Sequence, residues 1–199
     1  MKRAVVFLLA LAFVNVVSAQ DYSPGDKAMD FELKNIDDSM VSLSDYPDAN
    51  GFIVIFTTNH CPYAKAYEDR IIELDKKFKS HGYPVIAINP NDPVAYPADS
   101  FEKMKVRAEE KGFTFPYLID ETQDVAKTYG ATKTPHVFLL ERENGALMVK
   151  YIGAIDDNYR DAKAVKKKYV EDAIASLKAG ESVDVKETKA IGCSIKWKD

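Results

Sequence analysis

The chain predicts an α/β fold: a central mixed β-sheet flanked by helices, with an N-terminal hairpin before it and an extended C-terminal tail after it. Three observations predict this. Short apolar runs alternate with segments of helical period, as in a sheet built by crossover connections. Asn144–Gly145 separates two apolar runs late in the chain, a hairpin signal. Residues 181–199 show no helix period.

The elements follow in order. FELKNIDDSMVSL reads as two short strands around the polar turn NIDD. GFIVIF, residues 51–56, is continuously apolar, as a strand buried on both faces is. A helix follows from Pro62, where a missing N–H costs nothing. Tyr63, Tyr67, Ile71, Leu74 and Phe78 line one of its faces, and Gly82 marks its stop. YPVIAINP (83–90) is a second buried strand. ADSF opens another helix, with Asp99 three before Glu102 as in a capping box. Phe101, Met104 and Ala108 form its inner face, and Gly112 ends it. FTFPYLID gives a short strand and TQDVAKTYG a short helix closed by Gly130. HVFLLE and ALMVKYIGA form the hairpin. Val165, Tyr169, Ala173 and Leu177 pattern a last helix, ended by Gly180.

Composition narrows the class. The opening 19 residues read as a signal peptide: Lys2 and Arg3, an apolar stretch over 4–14, then Val17 and Ala19 as the small residues before a cleavage ahead of Gln20. A membrane anchor is the alternative, but the apolar run is short for a span of about 20 residues. The expected organisation is a leader over 1–19, one domain over 20–180, and a tail over 181–199 that carries Cys193. A secreted or periplasmic protein with no stable membrane insertion after leader removal is implied. Loss of Lys2 and Arg3 takes the net charge from −4 to −6, which argues against nucleic acid as a partner. The basic run KAVKKKY (163–169) falls in a helical pattern and reads as a solvated face. Two cysteines, Cys61 and Cys193, are too few for a disulfide scaffold or a four-cysteine zinc site. They read as one possible bridge or two working thiols.

Three segments carry a resemblance. SPGDKAMDFEL opens the domain, IVIFTTNHCPYA joins a strand to a helix through Cys61–Pro62, and YGATKTPHVFLL holds Pro135 ahead of a strand. With them, over about residues 22–178, the chain resembles the thioredoxin-like superfamily, on the redoxin side of alkyl-hydroperoxide-reductase and thiol-specific-antioxidant proteins. It is most similar to a peroxiredoxin-like subgroup with a single CPxA cysteine and a late GCSIKW segment. The resemblance implies a thioredoxin-like fold with an insertion around 90–115. It also implies a cis Pro135 facing Cys61, and a Thr134 backbone offered to an extended substrate. His60, Pro62, Tyr63, Thr134 and Pro135 form the expected substrate-binding set.

The departures are as informative. A thioredoxin has its second cysteine where this chain has Ala64, a tryptophan where it has His60, and a buried acid where it has Ile55. A peroxiredoxin has Pro-x-x-x-Thr-x-x-Cys; Thr58 fits, but Val54 holds the proline position. Pro135 stands where the peroxiredoxin arginine belongs.

Cys61 at a helix start is placed for thiolate chemistry, because free N–H groups and the macrodipole favour negative charge there. The alternative is an inert buried thiol. Cys193 lies 132 residues further on and has three readings: a resolving thiol that replaces position 64, a permanent staple to Cys61, or a distant free thiol. In the first reading Gly192 permits close backbone approach, while Ile191, Ile195 and Trp197 anchor the tail. His60, Cys61 and His136 also make a conceivable copper set, although no spacing requires it; His81 reads as a surface helix-end residue. No cofactor or metal is called for. Three hypotheses remain. The first is an exported thiol–disulfide oxidoreductase with Cys61 as nucleophile, acting on protein or small-molecule disulfides and thiols with an external reductant. The others are a thiol peroxidase and a non-catalytic binding module.

Overall fold

A computed structural model describes residues 21–198. The leader assigned to residues 1–19 lies outside them.

The N-terminal hairpin is β1 (Glu32–Asn35) and β2 (Met40–Ser42). The core strands are β3 (Gly51–Phe56), β4 (Val85–Asn89) and β5 (Tyr117–Ile119). Helix α1 (Pro62–Phe78) joins β3 to β4, and α2 (Phe101–Lys111) joins β4 to β5. After α3 (Asp124–Tyr129) come the two-residue β6 (Lys133–Thr134), then β7 (His136–Glu143) and β8 (Ala146–Gly153). Helix α4 (Tyr169–Lys178) and the two-residue β9 (Cys193–Ser194) complete the chain.

The main sheet has the order β2-β1-β5-β4-β3-β7-β8. β3, β4 and β5 run parallel, while β7, β8 and β1 join antiparallel. This is the predicted mixed sheet. Parallel pairing puts helices on the sheet faces, so both faces of β3 are dry. The period of two then sorts its side chains. Ile53 and Ile55 pack with Tyr67, Ile71 and Leu74 of α1, Met104 of α2 and Ile174 of α4. Phe52, Val54 and Phe56 point the other way, to Val125, Ala126 and Tyr129 of α3. The hairpin turn has Asn144 and Gly145 at φ 49° and 82°, the left-handed pair that matches strand twist.

Two readings of the sequence need correction. The last helix begins at Tyr169, not Val165; the chain from 162 to 164 makes a short 3-10 turn, and Val165 after it is extended. Lys166, Lys167 and Lys168 of the basic run are therefore solvated just ahead of the helix rather than on one of its faces. The inward face of α4 is centred on Val170, Ala173 and Ile174, with the expected Tyr169 and Leu177 half-buried beside them, because a 3.6 period drifts away from strict steps of four. Asp99 is not a capping residue either. Ser100 holds the cap position of α2, and Asp99 ends a separate turn, Pro97–Asp99, with its side chain fully buried.

The tail crosses the domain. Residues 186–188 add to β8 through Ile152 N–H to Lys186 O at 3.0 Å and Thr188 N–H to Ile152 O at 2.9 Å. Ile195 is buried in the core below α3. Ile191 and Trp197, expected as further anchors, are exposed.

Candidate redox site at the start of helix α1

β3 ends at Phe56 and α1 begins at Pro62, so residues 57–61 must turn from the sheet into the helix. Cys61 occupies the cap position, with extended backbone at φ −63° and ψ 123°. Its amide donates to Thr58 Oγ1 at 3.4 Å. Its thiol donates to the Thr134 carbonyl at 3.2 Å. The Thr134–Pro135 peptide is cis. The Cys61 side chain has no solvent exposure, and Ala64, one turn into the helix, is equally buried.

Cys193 comes to the same place from the far end of the chain. β9 pairs antiparallel with β6, and the register sets Cys193 opposite Thr134. Gly192 makes the approach possible: a Cβ there would stand 2.1 Å from the Thr134 carbonyl oxygen. The two thiols, both reduced, lie against each other. Burial, followed by the neighbouring Cys61 sulfur, pushes the Cys193 thiol up to about 11. Tyr63 lies on the same side, its ring 4.5 Å from that of Tyr159. The Thr134 hydroxyl is buried without a hydrogen-bond partner.

The loop before Cys61 is held by Asp99, which the sequence reading assigned elsewhere. Its Oδ1 accepts the amides of Asn59 at 2.9 Å and His60 at 3.1 Å. Its Oδ2 bonds His60 Nδ1 and accepts from Asn91 Nδ2 at 2.8 Å. Asn91 Oδ1 in turn accepts the Lys196 amide at 2.9 Å. Lys196 O accepts from Asp92 N–H at 3.0 Å and from Gln123 Nε2 at 2.8 Å. The insertion around residues 90–100 thus ties the loop before Cys61 to the tail that bears Cys193. The available signal was the polar cluster Asn89–Pro90–Asn91–Asp92 directly after a buried strand.

His60 stacks on Tyr96, with centroids 5.1 Å apart. His136, in β7 opposite Phe56, is buried, and burial pushes its imidazole down to about 4. Its Nδ1 accepts the Thr132 amide at 3.3 Å. Among the described residues, no three His, Cys, Asp or Glu side chains converge as a metal ion would require. His60, Cys61 and His136 therefore do not form a copper set. His81 is exposed and bonds the Lys77 carbonyl.

Comparison with known proteins places this geometry. Residues 24–157 match the AhpC/TSA family. The chain belongs to that family. Its fold is thioredoxin-like. A crystal structure of an uncharacterized conserved protein from Geobacillus kaustophilus superposes with a TM-score of 0.81 at 38% identity, covering 88% of this chain and 93% of that one. The thiol-disulfide oxidoreductase ResA of Geobacillus thermodenitrificans is 26% identical over 147 residues, 70% of this chain and 80% of its own length. A Mycobacterium tuberculosis protein named as a peroxiredoxin is 29% identical over 113 residues, 55% of this chain and 64% of its own. Among the described residues, no helix is long and apolar enough to cross a membrane.

Proposed function

We propose that this AhpC/TSA-family protein is an exported thiol–disulfide oxidoreductase, with Cys61 as nucleophile and Cys193 as resolving thiol. The observation that carries the reading is the placement of Cys193 against Cys61 across the Thr134 carbonyl. The similarity to ResA supports the reaction class. Export rests on the pattern of residues 1–19.

The reaction takes two exchanges. Cys61 thiolate attacks one sulfur of a disulfide RSSR′; a Cys61–SR bond forms and R′S⁻ leaves. Cys193 then gives its proton to solvent or to the departing thiolate and attacks the Cys61 sulfur. The Cys61–Cys193 disulfide forms and RS⁻ leaves. Two electrons pass to the substrate, and an external dithiol returns them by the reverse steps. The Cys61 contribution to the high Cys193 value arises from the thiol or thiolate of Cys61. Its loss in the mixed disulfide eases ionisation of the resolver, while burial, the larger cause, still holds the thiol high.

A peroxidase is the second reading, favoured by Thr58 beside the Cys61 amide and by the peroxiredoxin relative. Peroxide cleavage needs donors aimed at the leaving oxygen. Pro135 stands at the arginine position, and the arginines described are engaged elsewhere: Arg70 with Asp156, Arg107 with Glu68, Arg142 with Ala49 O, Arg160 with Tyr159.

Stopped-flow oxidation of the reduced protein separates the two. Oxidised glutathione should form the Cys61–Cys193 disulfide, and Cys61→Ser should abolish it. Hydrogen peroxide should react no faster than with an ordinary thiolate. Fast peroxide consumption dependent on Cys61, with no disulfide exchange, would establish the peroxidase instead.

A further inference from the structure

The only partner of β6 among the described strands is β9. β6 is two residues long, and Thr134 is one of them. A strand edge already paired inside the molecule has no free N–H and C=O groups for an incoming extended chain. This edge is the one that borders Cys61, since Thr134 O accepts the Cys61 thiol.

The covering segment is pinned on both flanks. Upstream, Thr188 N–H bonds Ile152 O, and Thr188 Oγ1 accepts from Ala154 N–H at 3.0 Å. Downstream, Ile195 is buried, and the Lys196 backbone is held through Asn91, Asp92 and Gln123. The Ile195 amide also donates to Thr132 O at 3.3 Å, and Lys133 Nζ reaches Ser194 Oγ at 3.1 Å. Between the pins, residues 189–194 are exposed or half-buried and form a strap over the sulfur. Beneath it Cys61 has no solvent exposure. Docking an extended polypeptide on Thr134 requires β9 to leave β6 altogether.

We infer that β9 is the specificity element of this site: the tail strand occupies the Thr134 edge beside Cys61 and restricts exchange to low-mass disulfides, excluding extended polypeptides. Gly192 is the residue on which closure depends. Its backbone lies on Thr134, and a Cβ would meet Thr134 O at 2.1 Å, Thr134 C at 2.6 Å and Pro135 N at 3.1 Å. These are backbone atoms that cannot rotate aside, so any side chain there props the strap away from β6.

This inference rests on the oxidoreductase reading. It is tested by the single-turnover rate of the reduced protein with oxidised glutathione and with insulin, a two-chain polypeptide disulfide. The wild type should prefer glutathione. Gly192→Ala should lower the glutathione-to-insulin rate ratio about tenfold or more, by gaining on insulin. Ile195→Ala, which loosens the downstream pin without touching Thr134, should move it the same way. A second readout needs no exchange chemistry. In Cys193→Ser protein, N-ethylmaleimide should label Cys61 faster than a polyethylene-glycol maleimide, the same reactive group on a bulky chain, by a margin that Gly192→Ala erases. A wild type that reacts with insulin as fast as with glutathione, or a ratio unmoved in both variants, overturns the inference and leaves the oxidoreductase reading standing. Failure of both disulfides to react with any of the three proteins overturns both.

Discussion

Replacing Asp99 by asparagine tests the wiring between the loop before Cys61 and the tail. The carboxylate accepts four hydrogen bonds: two on Oδ1 from the Asn59 and His60 amides, and two on Oδ2 from His60 Nδ1 and Asn91 Nδ2. Asp99→Asn retains an oxygen for the two amides and turns the other end into a donor. His60 adapts, because a neutral imidazole accepts through Nδ1. Asn91 does not: its Nδ2 now faces a donor from 2.8 Å, and its Oδ1 is fixed by the Lys196 amide at 2.9 Å. One buried N–H is left without a partner, at a cost of about 1–3 kcal/mol. With a urea slope of about 2 kcal/mol/M, the unfolding midpoint should fall by about 1 M and the slope should hold. The assay is urea unfolding followed by far-ultraviolet circular dichroism. The decisive control is the same substitution in an Asn91→Ala background, where the conflicting donor is gone and most of the cost should vanish. A loss below about 0.5 kcal/mol, or an undiminished loss in that background, would refute the reasoning.

Three further outcomes are expected. Asp99→Ala removes all four acceptances at a buried site and should cost about 3–5 kcal/mol in the same unfolding assay, with slower Cys61–Cys193 closure because both flanks of the site lose their anchor. His136 is neutral when folded and titrates near 4, against about 6.5 unfolded, so the unfolded chain binds more protons between those values. That contribution is fully present above pH 6.5 and is lost as pH falls from about 6.5 to about 4, by an amount on the order of 3 kcal/mol; His136→Gln should flatten this part of a stability–pH profile relative to wild type. Cys193 alkylation at pH 8 should speed up in Cys61→Ala, because the neighbouring sulfur that helps hold Cys193 protonated is gone; an unchanged rate would show that the two thiols do not interact.

The parts of the fold with a clean period were legible in the sequence. β3 is dry on both faces, so it reads as six apolar residues in a row, and Pro62 and Gly82 bracket α1 unmistakably. The hairpin turn was legible for the same kind of reason, since Asn144 and Gly145 both adopt positive φ. Asp99 was not. A buried acid in a polar stretch has the letters of a surface acid, and its distance from Glu102 imitates a cap. Only its burial and its partners forty residues back in the chain reveal its task. The tail defeated the reading in part. Without a period, nothing in the letters separates Ile195, which enters the core, from Ile191 and Trp197, which do not. Cys61 stood out through Pro62 and the Pro135 motif, but the pairing of β9 with β6 is a contact between segments sixty residues apart, which local pattern does not encode.

The central claim is that Cys193 takes over the role that Ala64 cannot perform, and trapping tests it most directly. Reduced wild type and Cys193→Ser are each mixed with one equivalent of oxidised glutathione, quenched with acid, and analysed as intact protein and as peptides by mass spectrometry. The account predicts that the wild type loses two hydrogens and yields a peptide pair joined through Cys61 and Cys193, with no glutathione retained. It predicts that Cys193→Ser keeps one glutathione on Cys61. A wild type that also accumulates glutathione on Cys61, with Cys193 reduced, would contradict the account and leave Cys61 a monothiol dependent on an external partner.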